Sequence, residues 1–160
     1  MREAREKLVL ALLQHDWTPA NTFDLTPKIT FGWFNEDYGA QVTVGQPEES
    51  PVDGGQTGYS HIDPGGGGPG QTLDGTIEVH VWCHPDDLAD ASTQNPREFT
   101  ERCCEEIQRI ATAHASTPTN PSTGAEPVSS LAYNGREAVP DPDRPSLAHY
   151  RAEVRYGYET

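Results

Sequence analysis

Residues 76–84 read TIEVHVWCH. Ile77, Val79 and Val81 alternate with Glu78, His80 and Trp82, the period-two pattern of a strand that buries one face. Eleven residues on, NPREFTERCCEEIQRI (95–110) opens with Asn95 as a cap, Pro96 at the first helical position and Glu98 at capping-box spacing. Phe99, Cys103, Ile107, Ile110 and Ala111 then recur at helical spacing. A one-faced strand and a one-striped helix each need cover, so a sheet with a helix packed on it is the expected core.

The flanks extend this picture. KITFGWF (28–34) sets Ile29, Phe31 and Trp33 against Thr30, Gly32 and Phe34, and AQVTV (40–44) sets Val42 and Val44 against Gln41 and Thr43. Between them NEDYG has the length and glycine of a hairpin loop, which predicts an antiparallel pair. Residues 2–15 predict a helix with Ala4, Leu8, Ala11, Leu12 and His15 on one face. After the second helix comes a polar loop, a strand around SSLAY (129–133), and a turn or bulge at YNGRE. The closing strand sets Ala148, Tyr150, Ala152, Val154, Tyr156 and Tyr158 against His149, Arg151, Glu153 and Arg155. The expectation is one α+β domain over 1–160: a mostly antiparallel sheet of about five strands on one or two helices. The Gly/Pro-rich stretch 46–75 and the polar stretch 115–127 are expected to have no element of their own.

Composition sets the physical context. The net charge is -14, with 25 acidic residues against 11 basic ones, of which only Lys7 and Lys28 are lysines. Leu, Ile, Val and Phe total 27 of 160, a combination usual in disordered chains, but here the apolar residues fall in periodic blocks. In molar salt the Debye length falls to about 3 Å, which screens repulsion among carboxylates and strengthens apolar burial. Acidic, lysine-poor and lean in core, the chain resembles proteins of extreme halophiles. It contains no apolar run of membrane-spanning length and no secretory cleavage pattern, and three cysteines, two adjacent, do not form a disulfide framework. A reducing cytosol fits.

Familiar site chemistries find little support. The glycines lead into a strand rather than a helix N-terminus, and Asp53, Asp63 and Asp74 would repel phosphate. Only Asp53 and Asp63 offer carboxylates to calcium there, without EF-hand spacing. His80, Cys83 and His84, with Cys103 and Cys104, form a nominal zinc set, yet His80 and Cys83 should point to opposite strand faces. Neither Gly-x-Ser-x-Gly nor His-Glu-x-x-His occurs. No cofactor and no catalytic activity are expected. Arg151 and Arg155 are the one notable basic pair, with Glu153 between them, too small for phosphate-backbone binding and suited to acids of a neighbouring strand or subunit.

The segments ITFGWFNEDYGAQVTVGQPEESPVDGGQTGY (29–59), GTIEVHVWCH (75–84), NPREFTERCCEEIQRI (95–110) and HYRAEVRYGYET (149–160), in that order, resemble the small neck and tail-completion proteins of long-tailed viruses. They look most like the tail terminators of viruses infecting haloarchaea. The resemblance implies a homo-oligomeric ring, a hexamer, at the head-proximal end of the tail tube. Such a ring ends tube polymerisation and meets the tail tube protein and a neck or head-completion protein, while genomic DNA passes without specific binding. It implies a virion location, in the tail or neck, after assembly in the host cytoplasm. On the residues themselves, Tyr59, His61 and Asp63 of the long loop and Arg151, Arg155, Tyr156 and Tyr158 of the last strand are the candidate interface. The alternatives are another neck component, a stopper or a more helical head–tail adaptor, or a halophilic cytosolic metal-binding protein or enzyme.

Overall fold

The computed structural model describes residues 4–51 and 72–159. In chain order these form α1 (Ala4–Asp16), β1 (Lys28–Phe31), β2 (Gln41–Pro51), β3 (Thr72–Cys83), α2 (Pro96–Ala113), β4 (Ser130–Ala138) and β5 (Ala148–Glu159), with short 3-10 turns at Pro19–Thr22 and Pro85–Leu88. The strands make one mixed sheet in the order β1-β2-β3-β5-β4. Both helices cover the same face, α1 over β1 and β2, α2 over β3, β5 and β4. The fold is therefore α+β, in two layers, and among the described residues the second sheet face is bare of helices.

The alternations seen in the sequence decide which side chains enter the core. Val42, Val44, Ile77, Val79, Val81, Ala152 and Val154 point under the helices, where they meet Leu8, Leu12, Phe99, Cys103 and Ile107. Each fully buried aliphatic or aromatic side chain here stabilises the fold by about 1.5–3 kcal/mol. Asn95 Oδ1 accepts from the backbone N–H groups of Arg97 and Glu98 at 3.1 and 3.3 Å, so the cap forms as its position predicts. The α1 face differs in detail: Val9 and Leu13 join Leu8, Ala11 and Leu12 inside, while Ala4 and His15 are exposed.

Two expectations about the first strands are corrected. β1 and β2 pair in parallel, Lys28 beside Gln41 and Phe31 beside Val44, and do not form a hairpin. Gly32 leaves β1 at φ 99°, a conformation that glycine adopts without steric cost. The chain then runs back over 33–40 around the fully buried side chain of Gln41. That amide accepts from Asn35 N at 2.8 Å and donates to the carbonyls of Asn35 and Gly39 at 2.8 and 3.1 Å. Because β1 ends at Phe31, Trp33 does not continue the Ile29–Phe31 face and lies on the opposite side of the sheet.

The expected featureless stretch 46–75 is also narrower than its composition implies. β2 runs on to Pro51 and β3 begins at Thr72, paired from Pro47↔Ile77 to Pro51↔Leu73. Gly75, at the end of that glycine-rich stretch, belongs to the strand because the Tyr156 ring lies across it. A Cβ there would stand 2.4 Å from Tyr156 Cζ. Residues 115–127 contain no helix or full strand, but Ser116 bridges Ser130 at the β4 edge.

Candidate functional site

The bare face of the sheet carries the chemistry that the core does not use. In β3 its residues are Thr76, Glu78, His80 and Trp82, and across the β3–β5 ladder they meet Arg155, Glu153, Arg151 and His149. His80, His149 and Trp82 are 5%, 9% and 3% exposed, although no helix covers them. The cover is Trp33, which meets His80, Trp82 and His149 edge-on at ring distances of 4.6, 5.0 and 6.0 Å. Trp82 and His149 stack beneath it at 4.4 Å, and Phe34 tilts against Trp82 at 5.6 Å. The chain reversal after Gly32 thus serves as a lid of two aromatic rings.

Under that lid the imidazoles form a relay of fixed polarity. His80 Nε2 lies 3.0 Å from Glu78 Oε2, and a carboxylate only accepts, so Nε2–H is the donor. The other nitrogen of neutral His80, Nδ1, must then accept from His149 Nε2–H at 2.8 Å. Burial lowers the pKa of His80, with Glu78 opposing the shift. Burial, together with the neighbouring His80, pushes His149 down to about 4. Both rings are neutral at pH 7. Among the described residues no hydroxyl or thiol is hydrogen-bonded to either imidazole, so the pair acts as a satisfied polar core for this face. Thr43 Oγ1, fully buried on β2 opposite His80, has no hydrogen-bond partner among the described residues.

A bulge decides which carboxylates reach this face. Between Val44↔Val79 and Pro47↔Ile77, Gly45 and Gln46 oppose Glu78 alone. The extra residue reverses the alternation beyond it, since strand side chains repeat every two residues. Glu48 is delivered to the bare face beside Glu78, and Glu49 is turned to the helix side. There Glu49 accepts from Tyr156 Oη at 2.6 Å and Tyr158 Oη at 2.9 Å, and its Oε1 forms an ion pair with Arg5, whose Nε lies 2.9 Å away. The expected irregularity at YNGRE is a second bulge: Asn134 and Gly135 oppose Glu153, with Gly135 at φ 111°.

The sequence-predicted residues divide accordingly. Tyr59, His61 and Asp63 lie outside the described residues. Arg155 Nη2 binds Asp74 Oδ2 at 2.7 Å, and Arg151 is paired with Glu137 and lies 3.6 Å from Glu78. Both arginines meet acids of neighbouring strands, as their spacing allowed. Tyr156 is 1% exposed and belongs to the core, a correction to its place in the candidate interface: its ring fills the space over Gly75. Tyr158 is half-buried beneath Arg5. The nominal zinc set is not brought together. His80 faces the bare side and Cys83 the core, while His84 caps the Pro85–Leu88 turn. Burial pushes the Cys83 and Cys104 thiols up to about 12 and Cys103 well above its ordinary value, so all three behave as small apolar core groups. The Trp33–His80–His149 cluster was missed by sequence reasoning. Its only sequence signal was the aromatic and imidazole content of the polar phase of two strands.

No known family model matches the chain, and no curated protein matches it. Among the described residues no helix is long and apolar enough to cross a membrane. Among solved structures the chain is similar to one from the virion of a native gene transfer agent particle, at 10% sequence identity and a TM-score of 0.61. The likeness covers 97% of this chain and 94% of that one, and at this identity it shows a shared fold.

Proposed function

We propose that this chain is a structural protein of a virion, forming a closed ring at the head-proximal end of a tail tube. There it ends tube polymerisation and joins the tail to the neck or head. The observation that carries this reading is the end-to-end likeness of fold to a component of a gene transfer agent virion. The chain's own physics agrees. A net charge of -14 suits a wall past which DNA must slide without binding. A core lean in Leu, Ile, Val and Phe gains stability from apolar surface buried between copies. Five strands and two helices favour a terminator over a more helical head–tail adaptor.

Tyr59, His61 and Asp63 would meet a neighbouring copy or the tail tube protein, and Tyr158 would contribute from the sheet end. Arg151 and Arg155 would do so only by exchanging their present partners. The test is the mass and shape of the purified chain in molar salt, by sedimentation and negative-stain electron microscopy. Rings of six 17.5 kDa copies are expected, alone or on addition of tail tube protein. A chain that stays monomeric in both conditions overturns the reading.

A further inference from the structure

Most aromatic rings near the surface already carry a cation. Arg5 lies 4.5 Å over Tyr158, Lys28 5.3 Å over Tyr38, Arg102 5.2 Å over Phe23, Arg136 5.7 Å over Tyr150 and Arg144 5.0 Å over Phe34. Trp33 is 63% exposed and has no such cation among the described residues. Indole is the strongest cation–π acceptor of the side chains. Trp33 also lines a cleft of about 430 Å³ on the bare sheet face, together with Gly45, Gln46, Thr76 and the carboxylate residues Glu48 and Glu78. Glu48 makes no hydrogen bond or ion pair among the described residues. Glu78 engages His80 through Oε2, leaving Oε1 with only the 3.6 Å approach of Arg151 Nη1. At Gly45, in the bulge that turns Glu48 to this side, the backbone packs closely: a Cβ would come within 3.2 Å of the Glu78 carbonyl oxygen.

The geometry points to this cleft as the binding site for a guanidinium group, that of an arginine side chain presented by a partner protein. A planar guanidinium stacks on the indole face while its N–H fork meets carboxylates, a combination that an ammonium matches less well. The partner is a protein rather than a small cation because the cleft is open to solvent. A free ligand would stay largely wet and bear the whole entropic cost of association, whereas a side chain on a docked backbone shares that cost. The charge complementarity is direct: a chain of net charge -14 offers, in one cleft, a carboxylate and an aromatic ring that among the described residues each lack a cation. The inference does not depend on the ring reading, since it concerns a surface of the single chain.

The test is a titration of the whole chain, at the lowest salt that keeps it folded, followed at the Trp33 indole N–H by NMR. The probe is acetyl-Gly-Arg-Gly-amide, with the citrulline peptide as its neutral isostere, the lysine peptide and N-propylguanidine as a free guanidine of the same charge. The arginine peptide should shift Trp33 saturably, the citrulline peptide should not, and lysine should bind at least about 3-fold more weakly. Glu48→Gln, a change at an exposed position, should weaken arginine at least about 3-fold while leaving the unliganded Trp33 signal in place. Trp33→Ala, which removes the NMR reporter, should abolish the saturable heat of binding that the wild-type chain gives with the arginine peptide in titration calorimetry. No saturable shift, equal response to citrulline, or indifference to Glu48→Gln overturns the proposal. N-propylguanidine binding more tightly than the peptide overturns the protein partner in favour of a small cation. Failure here leaves the sedimentation result free to stand.

Discussion

Gly75, Thr43 and His149 each carry a consequence at the residue scale. Gly75→Ala would drive a methyl into the buried Tyr156 ring, whose hydroxyl is held by Glu49. Overpacking of this kind costs about 1–3 kcal/mol, and chemical denaturation should show a loss of that size. Thr43→Val should do the reverse. It replaces a buried hydroxyl that has no partner among the described residues with a methyl of similar shape, which should raise stability by about 1 kcal/mol; a loss instead would reveal a hydrogen bond to Oγ1. His149 sets a pH dependence. Its folded pKa of about 4 lies below the ordinary 6.5, so the unfolded chain binds more protons between those values. Stability from the neutral imidazole is complete above pH 6.5 and is lost as pH falls toward 4, on the order of 2–3 kcal/mol. His149→Gln should flatten that part of the stability–pH curve, with the wild-type ring titration followed by NMR.

Among the elements, α2 is the organiser, and its two ends work differently. At its start Asn95 caps the helix, so Asn95→Ala should cost about 1 kcal/mol in a thermal melt. Near its end the buried Glu106 ties the α1–β1 connection to the helix. It accepts from Thr18 N at 2.7 Å, Asn21 Nδ2 at 2.9 Å and Arg109 Nη2 at 2.7 Å. Burial raises the Glu106 pKa, but the hydrogen bonds from Arg109, Thr18 and Asn21 together outweigh it and hold the carboxyl below its usual range. Its contribution is therefore present above pH 4.5 and lost as pH falls below that value. Glu106→Ala should cost about 2–3 kcal/mol, and amide exchange should rise first around Thr18–Asn21. The α2 stripe and cap were legible because both are local patterns. The tie to Thr18 was not, since 88 residues separate the partners.

At the scale of the whole molecule the balance between charge and core is what matters. Twenty-five acidic residues against eleven basic ones on 160 repel one another, and dissolved salt screens that repulsion. The melting temperature should fall steadily as salt is lowered from molar to tens of millimolar. A melt indifferent to salt would show that local ion pairs such as Arg155–Asp74 and Arg109–Glu106 already compensate the charge. On the bare sheet face, rings and ion pairs provide the cover that helices give the other face. Trp33 and Phe34 do this at one end and the Asp74–Arg155 pair at the other, with the Glu48–Glu78 cleft between.

The sequence by itself determined the element types, the helix cap, the core faces of β3, β5 and α2, and the α+β class. Each follows from a period or a cap that a short segment expresses alone. Tertiary structure alone decided the direction of β1 against β2, the side taken by Trp33, and the sorting of Glu48 from Glu49. Those depend on the φ of Gly32, on the hydrogen bonds of Gln41 inside a loop, and on one extra residue at Gly45–Gln46. A strand's alternation states which residues share a face. Only its pairing with another strand states where that face points and where the alternation is reversed.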